Sequence, residues 1–148
     1  MSTGKEWSND QVRCYLEGIA CSDYPAVFWE SMQANLNGAA SLIDIGSGPG
    51  AFALLAARDG MKVKAVDTSL KCLAALEAEA EKRRLNTVTT ICGNWLEVHT
   101  EKFDAAVCSY SFGGEIGSAK GIKKILDTAQ QVVFLICPFS TEQTDFCS

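Results

Sequence analysis

The feature that most constrains this chain is a glycine-rich turn between two apolar stretches. Residues 41–45 read Ser-Leu-Ile-Asp-Ile and predict a short strand that carries one acid, and Gly46, Gly48 and Gly50 follow. Glycine allows backbone conformations and close ligand approach that a Cβ atom would prevent. A helix is predicted over 50–59, and its first amide groups have no partner inside the helix. This order predicts an α/β sheet with a ligand pocket at the carboxyl end of the first strand.

Strand and helix patterns alternate beyond this turn, which predicts a parallel sheet. The connection from the third strand to the fourth, 93–102, is too short for more than one helical turn. We therefore expect an α/β fold with a doubly wound parallel sheet of strand order 3-2-1-4-5 and a switch point between strands 1 and 4. The later strands are predicted at 62–66, 87–92, 103–109 and 131–137, and the later helices at 69–84 and 118–128.

Two helices are predicted before the first strand. Ser8-Asn9-Asp10-Gln11 has the spacing of a capping box, and apolar residues follow at helical spacing over 9–20. A second helix is predicted from Pro25 until Gly38 ends it. We expect residues 1–38 to form an N-terminal helical lid on a Rossmann-like core of residues 39–148, within a single domain. The aromatic residues of this lid either pack against the sheet edge or line a substrate entrance: Tyr15, Tyr24 and Trp29 (packing is favoured only for Trp29).

Composition excludes several classes of partner. The net charge of −5 argues against nucleic acid, because phosphate binding needs a basic face. No apolar run is long enough for a membrane span, and the first residues lack the apolar region of a signal peptide. The sequence therefore predicts no membrane association and a cytoplasmic location.

The seven cysteines predict packing and not metal binding. None forms a Cys-x-x-Cys pair and His99 is the one histidine, so no metal site is expected. The odd number and scatter of the cysteines indicate reduced thiols. Cys92, Cys108 and Cys137 lie in apolar strand-like runs, where we expect them to be buried.

The glycine spacing fits two ligand classes. Gly48-x-Gly50-x-x-Ala53 fits a dinucleotide fingerprint, with Asp67 at the distance of the ribose-binding acid. A dinucleotide carries a pyrophosphate, whereas Asp44 at the strand end suits a cation.

Asp44-x-Gly46-x-Gly48-x-Gly50 also resembles motif I of Rossmann-like (class I) S-adenosylmethionine-dependent methyltransferases. Further segments resemble this family in the same order: 65–70 its acidic loop, 92–95 its adenine-contact loop and 103–112 its motif IV strand. The resemblance implies that Asp67 binds both ribose hydroxyls and that Asn94, where Asp is common, contacts adenine. Trp95 either stacks on adenine or packs in the core. The residues implied to bind S-adenosyl-L-methionine are Asp44, Gly46, Ser47, Gly48, Gly50, Asp67, Thr68, Asn94, Trp95 and Ser109.

The resemblance implies methyl transfer by direct displacement, for which the protein mainly aligns the acceptor and excludes water, or the cofactor-binding domain of such an enzyme. A small-molecule acceptor is expected because the chain is acidic and lacks a basic groove. No catalytic triad is needed and none is visible. Tyr15, Tyr24, Ser111 and Glu115 are the candidate acceptor-side residues. The alternatives are a domain of an NAD-dependent oxidoreductase and a non-catalytic module that binds S-adenosylmethionine.

Strand 5 is an unusual edge strand because 132–136 (Val-Val-Phe-Leu-Ile) is apolar and uncharged. Members of the family continue beyond this strand, whereas eleven residues follow Cys137 here. Three outcomes are open. The chain is a fragment of a longer protein, it forms a homodimer through strand 5, or its tail 138–148 covers the edge. A fragment or a dimer is favoured.

Overall fold

The computed structural model of the chain describes residues 6–137. Within them, five parallel strands form one sheet in the order β3-β2-β1-β4-β5, which confirms the predicted topology. The strands are β1 (Ser41–Ile45), β2 (Lys62–Asp67), β3 (Val88–Cys92), β4 (Phe103–Ser109) and β5 (Ala129–Ile136). The helices are α1 (Asn9–Ala20), α2 (Ala26–Gln33), α3 (Ala51–Arg58), α4 (Leu70–Lys82) and α5 (Ala119–Thr128).

The predicted capping box begins α1. The Ser8 hydroxyl accepts from the Gln11 amide at 3.1 Å, and the Gln11 side chain accepts from the Ser8 amide at 2.8 Å. Helix α2 is shorter than predicted and ends at Gln33. The turns that follow it contain Asn37 and Gly38 in left-handed backbone conformations and lead into β1. The two helices pack on the sheet-covering helices, α1 against α4 and α2 against α3.

The two faces of the sheet carry separate apolar clusters. Leu42 of β1 belongs to the cluster covered by α2, α3 and α4, whereas Ile43 and Ile45 belong to the cluster covered by α5. This alternation follows from the two-residue period of a strand. It places Asp44 on the same face as Leu42, directed towards α3.

The connection from β3 to β4 forms a single turn and no helix, as its length predicted. The Asn94 carbonyl accepts from the amides of Glu97 and Val98, each at 3.0 Å. Trp95, in this connection, is 3% exposed and belongs to the apolar cluster on the α5 face of the sheet.

The expected burial of three cysteines is correct only for Cys108, on the central strand β4. Cys92 and Cys137 are exposed. Cys92 ends β3, which pairs on one side only among the described strands, and Cys137 follows the strand at the opposite edge, β5. An apolar run at a sheet edge therefore buries fewer of its residues than the same run at the centre. The sequence did not single out Cys72, which is buried on α4.

The outer edge of β5 pairs with no other strand in residues 6–137. Leu135 of β5 and Leu126 of α5 are 47% and 62% exposed on this side of the molecule. The predicted tail 138–148 lies outside the described residues. No helix in the described part of the chain is long and apolar enough to cross a membrane.

Candidate active site

A cavity of about 890 Å³ opens at the carboxyl ends of the strands. Its wall combines the glycine turn after β1, the ends of β2, β3 and β4, the loop 110–116 and aromatic side chains from the N-terminal segment. The cavity lies at the switch point between β1 and β4, where α/β sheets bind ligands. It contains most of the residues that the sequence assigned to a ligand.

The glycine turn depends on backbone conformations that favour glycine. Gly46 has φ +68°, and a Cβ atom placed there would lie 2.4 Å from Oγ of Ser111. Gly48 has φ +53°, and its amide donates to the Asp67 carboxylate at 2.8 Å. Ser47 lies between them at the cavity wall. The turn thus packs against Ser111, after β4, on one side, and it is hydrogen-bonded to Asp67 of β2 on the other.

Gly50, also assigned to the ligand, is outside the set of residues that line the cavity. A Cβ atom there would lie 2.4 Å from Cδ1 of Leu76, so Gly50 allows α3 to approach α4. Its φ of +84° also turns the chain into the first residue of α3.

Asp44 is 2% exposed and lies at the cavity floor. Its Oδ2 atom accepts from the Ala53 amide in the first turn of α3 at 3.2 Å. Burial raises the pKa of this carboxyl to about 7, and the charge of Asp67 adds to the shift, although the Ala53 hydrogen bond opposes it. A cation placed beside Asp44 would favour its charged form.

Asp67 ends β2 beside Asp44, and both side chains face the same cavity. One Asp67 oxygen accepts from the Gly48 amide and the other from the Ser69 amide, each at 2.8 Å. Ser69 itself caps α4 by accepting from Cys72. The capping role is therefore filled without Asp67, whose oxygens each keep acceptor capacity for a ligand. The adjacent Thr68 is also in the cavity wall.

Asn94 and Glu115 meet across the cavity at the end of β3. The Asn94 side-chain nitrogen donates to a Glu115 carboxylate oxygen, and its oxygen accepts from the Leu96 amide at 2.9 Å. Trp95 reaches the cavity wall, but its ring packs in the core. Its Nε1 donates to the Gly121 carbonyl at 3.2 Å, and Lys124 Nζ lies 4.6 Å from the ring centroid.

Tyr24 and Ser109 face each other at the end of β4. Their hydroxyl oxygens are 2.5 Å apart. Burial raises the pKa of Tyr24, and the hydrogen bond to Ser109 partly offsets this shift. Burial also raises the pKa of Tyr15, and electrostatic interaction with the neighbouring Tyr24 is the second contribution. Both phenols therefore stay protonated at neutral pH and act as hydrogen-bond partners.

The remaining candidate, Ser111, is held at the strand ends. Its hydroxyl donates to the Ile45 carbonyl at 3.0 Å and lies 3.2 Å from Sγ of Cys108. Trp29, for which packing was favoured, is 2% exposed in the core and donates to Asp59. Of the three aromatic residues considered for the entrance, only the two tyrosines line the cavity.

A family model described as a methyltransferase domain matches residues 42–133, which is more than half of the chain. The chain belongs to this methyltransferase-domain family. The match begins in β1 and ends in β5, so it contains the whole glycine turn and the strand ends around the cavity. No curated protein matches closely enough to count as a relative of this methyltransferase domain.

Solved structures of methyltransferases share the fold. An S-adenosyl-L-methionine-dependent methyltransferase of Methanococcus maripaludis is 19% identical, with a TM-score of 0.72 over 91% of this chain and 67% of that one. Magnesium protoporphyrin IX methyltransferase of Synechocystis, with bound SAH, is also 19% identical, with a TM-score of 0.62 over 88% of this chain and 60% of that one. Coclaurine N-methyltransferase, bound to N-methylheliamine and SAH, is 23% identical, with a TM-score of 0.60 over 72% of this chain and 35% of that one. The methyltransferase domain thus spans about one to two thirds of these chains.

Sequence reasoning missed several residues of the methyltransferase domain that line the cavity. Trp7 packs edge-on against Tyr15, and Phe28 and Tyr110 pack edge-on against Tyr24, with ring centroids 5.5–5.8 Å apart. Phe28 and Tyr110 are exposed aromatic side chains, and no helical or strand period distinguishes them from ordinary surface residues. Among residues 6–137, no three acidic, histidine or cysteine side chains form a cluster that could hold a metal ion.

Proposed function

We propose that this methyltransferase domain binds S-adenosyl-L-methionine and transfers its methyl group to a small-molecule acceptor. One observation carries the proposal. Asp44, near the end of β1, and Asp67, at the end of the adjacent strand β2, face one cavity beside the glycine turn. The cofactor carries a positively charged sulfur and an ammonium group as well as a ribose diol, and the two carboxylates match a cationic group and the diol. A volume of about 890 Å³ is in the range of cofactor pockets.

The fit to the cofactor follows from the chemistry of each carboxylate. Asp44 is buried with its pKa raised to about 7, so a cationic ligand relieves the cost of its charge. A phosphate at the same position would be repelled, which argues against a dinucleotide. Asp67 accepts from two backbone amides and keeps acceptor capacity for two hydroxyls. The remaining assigned residues of the cavity wall are proposed to contact the cofactor through backbone or side-chain atoms: Gly46, Ser47, Gly48, Thr68, Asn94, Trp95 and Ser109. Gly50 is not among them, because it lies outside the wall and faces Leu76.

Bound S-adenosylmethionine supplies a methyl group on a positively charged sulfur, which is already an activated leaving group. The residues of the chain then orient the acceptor and exclude water. Tyr24 and Ser109 are placed to do so at the end of β4, next to the glycine turn. Tyr15 closes the same side of the cavity.

The charge of the wall supports an acceptor that is not an anion. Within residues 6–137 the wall carries the carboxylates of Asp44, Asp67 and Glu115 and no lysine, arginine or histidine. An anionic acceptor would meet a negative potential there and would enter unfavourably. A neutral or cationic small molecule fits this wall, and its aromatic residues suit an apolar body.

We also propose that residues 1–38 form a lid on the core of residues 39–148. Glu6, ahead of α1, accepts from the hydroxyl of Ser69 at 2.9 Å and from the amides of Leu70 and Lys71 at 3.2 and 3.1 Å. These hydrogen bonds fasten the N-terminal segment to the start of α4, close to Asp67. They lower the pKa of Glu6. The lid would thereby hold Trp7 and Tyr15 over the cavity.

A homodimer formed through the β5 edge and a cytoplasmic location complete the proposal. The dimer is supported by exposed Leu135 and by the outer edge of β5, which no strand of residues 6–137 pairs with. The cysteines of the described residues, all free thiols, support the location.

Calorimetry with S-adenosylhomocysteine and with NAD tests the proposal against the oxidoreductase. We expect binding of S-adenosylhomocysteine and none of NAD. Binding of NAD alone would reject the cofactor assignment. Transfer of a labelled methyl group from S-adenosylmethionine to a small-molecule extract then separates an enzyme from a non-catalytic binding module, for which no labelled product would form.

A further inference from the structure

If the cofactor binds as proposed, its adenine base lies at the β3 end of the cavity. A role in base recognition at this end therefore rests on that proposed function. In the proposed function, Asp44, next to the last residue of β1, faces the cationic part of the ligand, and Asp67, the last residue of β2, faces the diol. A ligand that spans these neighbouring strand ends continues in the same direction towards the end of β3, because the strands lie in the order β1-β2-β3. Asn94 and Glu115 form the wall there.

Both polar atoms of the Asn94 side chain have a hydrogen-bond partner, and the oxygen keeps only the second lone pair of a neutral amide. Its oxygen accepts from the Leu96 amide at 2.9 Å, and its nitrogen donates to Glu115. The nitrogen is a donor and so cannot accept from an amino group. The Glu115 carboxylate, in contrast, is an acceptor with capacity beyond the one bond it receives from Asn94. Glu115 is therefore the strongest acceptor at this end of the cavity.

Glu115 is held by its backbone and is not a free loop acid. The Ser118 hydroxyl donates to the Glu115 carbonyl at 2.6 Å. Gly121, in the first turn of α5, lets the loop approach this closely, because a Cβ atom there would lie 2.4 Å from the Glu115 carbonyl oxygen and 2.2 Å from that of Ile116. The side chain is thus presented from a backbone packed against the start of α5.

We propose that Glu115 accepts a hydrogen bond from the exocyclic amine of adenine, and that Asn94 is a positioning residue that orients the Glu115 carboxylate. The acidic group that recognises the base is then supplied from the loop between β4 and α5 and not from the end of β3. A base with a carbonyl oxygen in place of the amine would meet the carboxylate and be rejected, so the pair also determines base specificity.

The test compares two ligands on four variants. The ligands are S-adenosylhomocysteine and its analogue in which hydrogen replaces the exocyclic amine. The variants are Glu115→Gln, Asn94→Asp, the double variant with both changes, and Glu97→Gln as a matched control. Glu97 is an exposed acid of the same β3–β4 connection that lies outside the cavity wall. Calorimetry gives the dissociation constants, and thermal unfolding checks that each variant folds.

We expect Glu115→Gln to weaken binding of S-adenosylhomocysteine by roughly tenfold, because an ionised acceptor makes the stronger hydrogen bond. Binding of the analogue without the amine should change by less than about twofold, since the bond is absent there. Glu97→Gln should change neither. If Glu115 had a role in folding alone, Glu115→Gln would weaken the binding of both ligands equally. That result, or unchanged binding of both ligands, would overturn the proposal.

The double variant tests the positioning role. Asn94→Asp alone puts two carboxylates in contact, and their repulsion should disturb the pair. Combining it with Glu115→Gln restores one acid and one amide with their places exchanged, and we expect most of the lost affinity to return. Failure of this rescue would refute the role of Asn94. Failure of the unchanged protein to bind S-adenosylhomocysteine would instead refute the proposed function, so the two failures are distinguishable.

Discussion

Asp67 divides its two carboxylate oxygens between the glycine turn and the start of α4. Through these bonds it links the two loops on which a ligand would rest. The strand pattern predicted Asp67 directly after a strand at 62–66, and the structure has it as the last residue of β2. Its hydrogen bonds could not be predicted, because they depend on how β1 and β2 lie side by side.

Asp67→Ala is expected to weaken S-adenosylhomocysteine binding by about 1.5–3 kcal/mol, the usual contribution of a hydrogen bond to a charged group. Calorimetry measures this loss, and Asp23→Ala, at an exposed position between α1 and α2, is the control. An unchanged affinity would show that Asp67 does not contact the ligand. Thermal unfolding of the same variants separates lost ligand contacts from a loosened turn.

Asp44 gives the site a predictable pH dependence. Its pKa is raised to about 7, so below that pH the free site holds a neutral acid. A cationic ligand binds the ionised form, and its affinity should therefore rise with pH, by up to about tenfold per pH unit, and level off above pH 7. Asp44→Asn should remove this dependence.

Calorimetry with S-adenosylmethionine at several pH values checks the prediction, and a flat profile in the unchanged protein would contradict it. The stability of the free protein changes with pH in the opposite direction to the ligand affinity. An unfolded Asp ionises near pH 4, so the raised pKa lowers the stability of the free protein as the pH increases from about 4 towards 7.

At the scale of elements, the sequence predicted strand and helix positions closely where the apolar period is strong. Helix α1 has the predicted bounds, because its capping box fixes the start in local sequence. Strand β5 begins two residues earlier than predicted, at Ala129, where pairing with Phe103 extends it. The end of α2 and the exposure of Cys92 depend on neighbouring elements, so local sequence could not determine them.

Replacing a glycine between two elements can cost backbone strain and steric overlap, and comparison of Gly50 with Gly60 distinguishes these two costs. Both have positive φ, +84° and +87°, but only at Gly50 would an added Cβ atom have a neighbour within 4 Å, the Leu76 side chain. Gly60→Ala should lose about 1–2 kcal/mol of unfolding free energy from backbone strain. Gly50→Ala should lose roughly 1–3 kcal/mol more, because α3 and α4 must also move apart. Denaturant unfolding measures both, and equal losses would show that α4 adapts without cost.

At the scale of the whole molecule, the sheet order confirms the predicted edge position of β5, whose outer side pairs with no strand in residues 6–137. An uncharged apolar edge strand is a template for pairing with another chain. If two copies pair there, sedimentation should show a dimer of the 148-residue chain. Leu135→Lys should then shift it towards monomer, whereas Val27→Lys, at an exposed position on α2, should not. A stable monomer of the unchanged protein would reject the dimer.

By itself, the sequence determined the sheet topology, the glycine turn and the two aspartates at the ends of β1 and β2, because these depend on local periodicity and on chain connectivity. Only the tertiary structure decided which side chains meet across the cavity: Tyr24 with Ser109, Asn94 with Glu115, and Glu6 with the start of α4. The members of each pair are 85, 21 and 65 residues apart in the chain. Contacts at such separations are fixed by how loops and helices pack over the strand ends, and no local pattern encodes that packing.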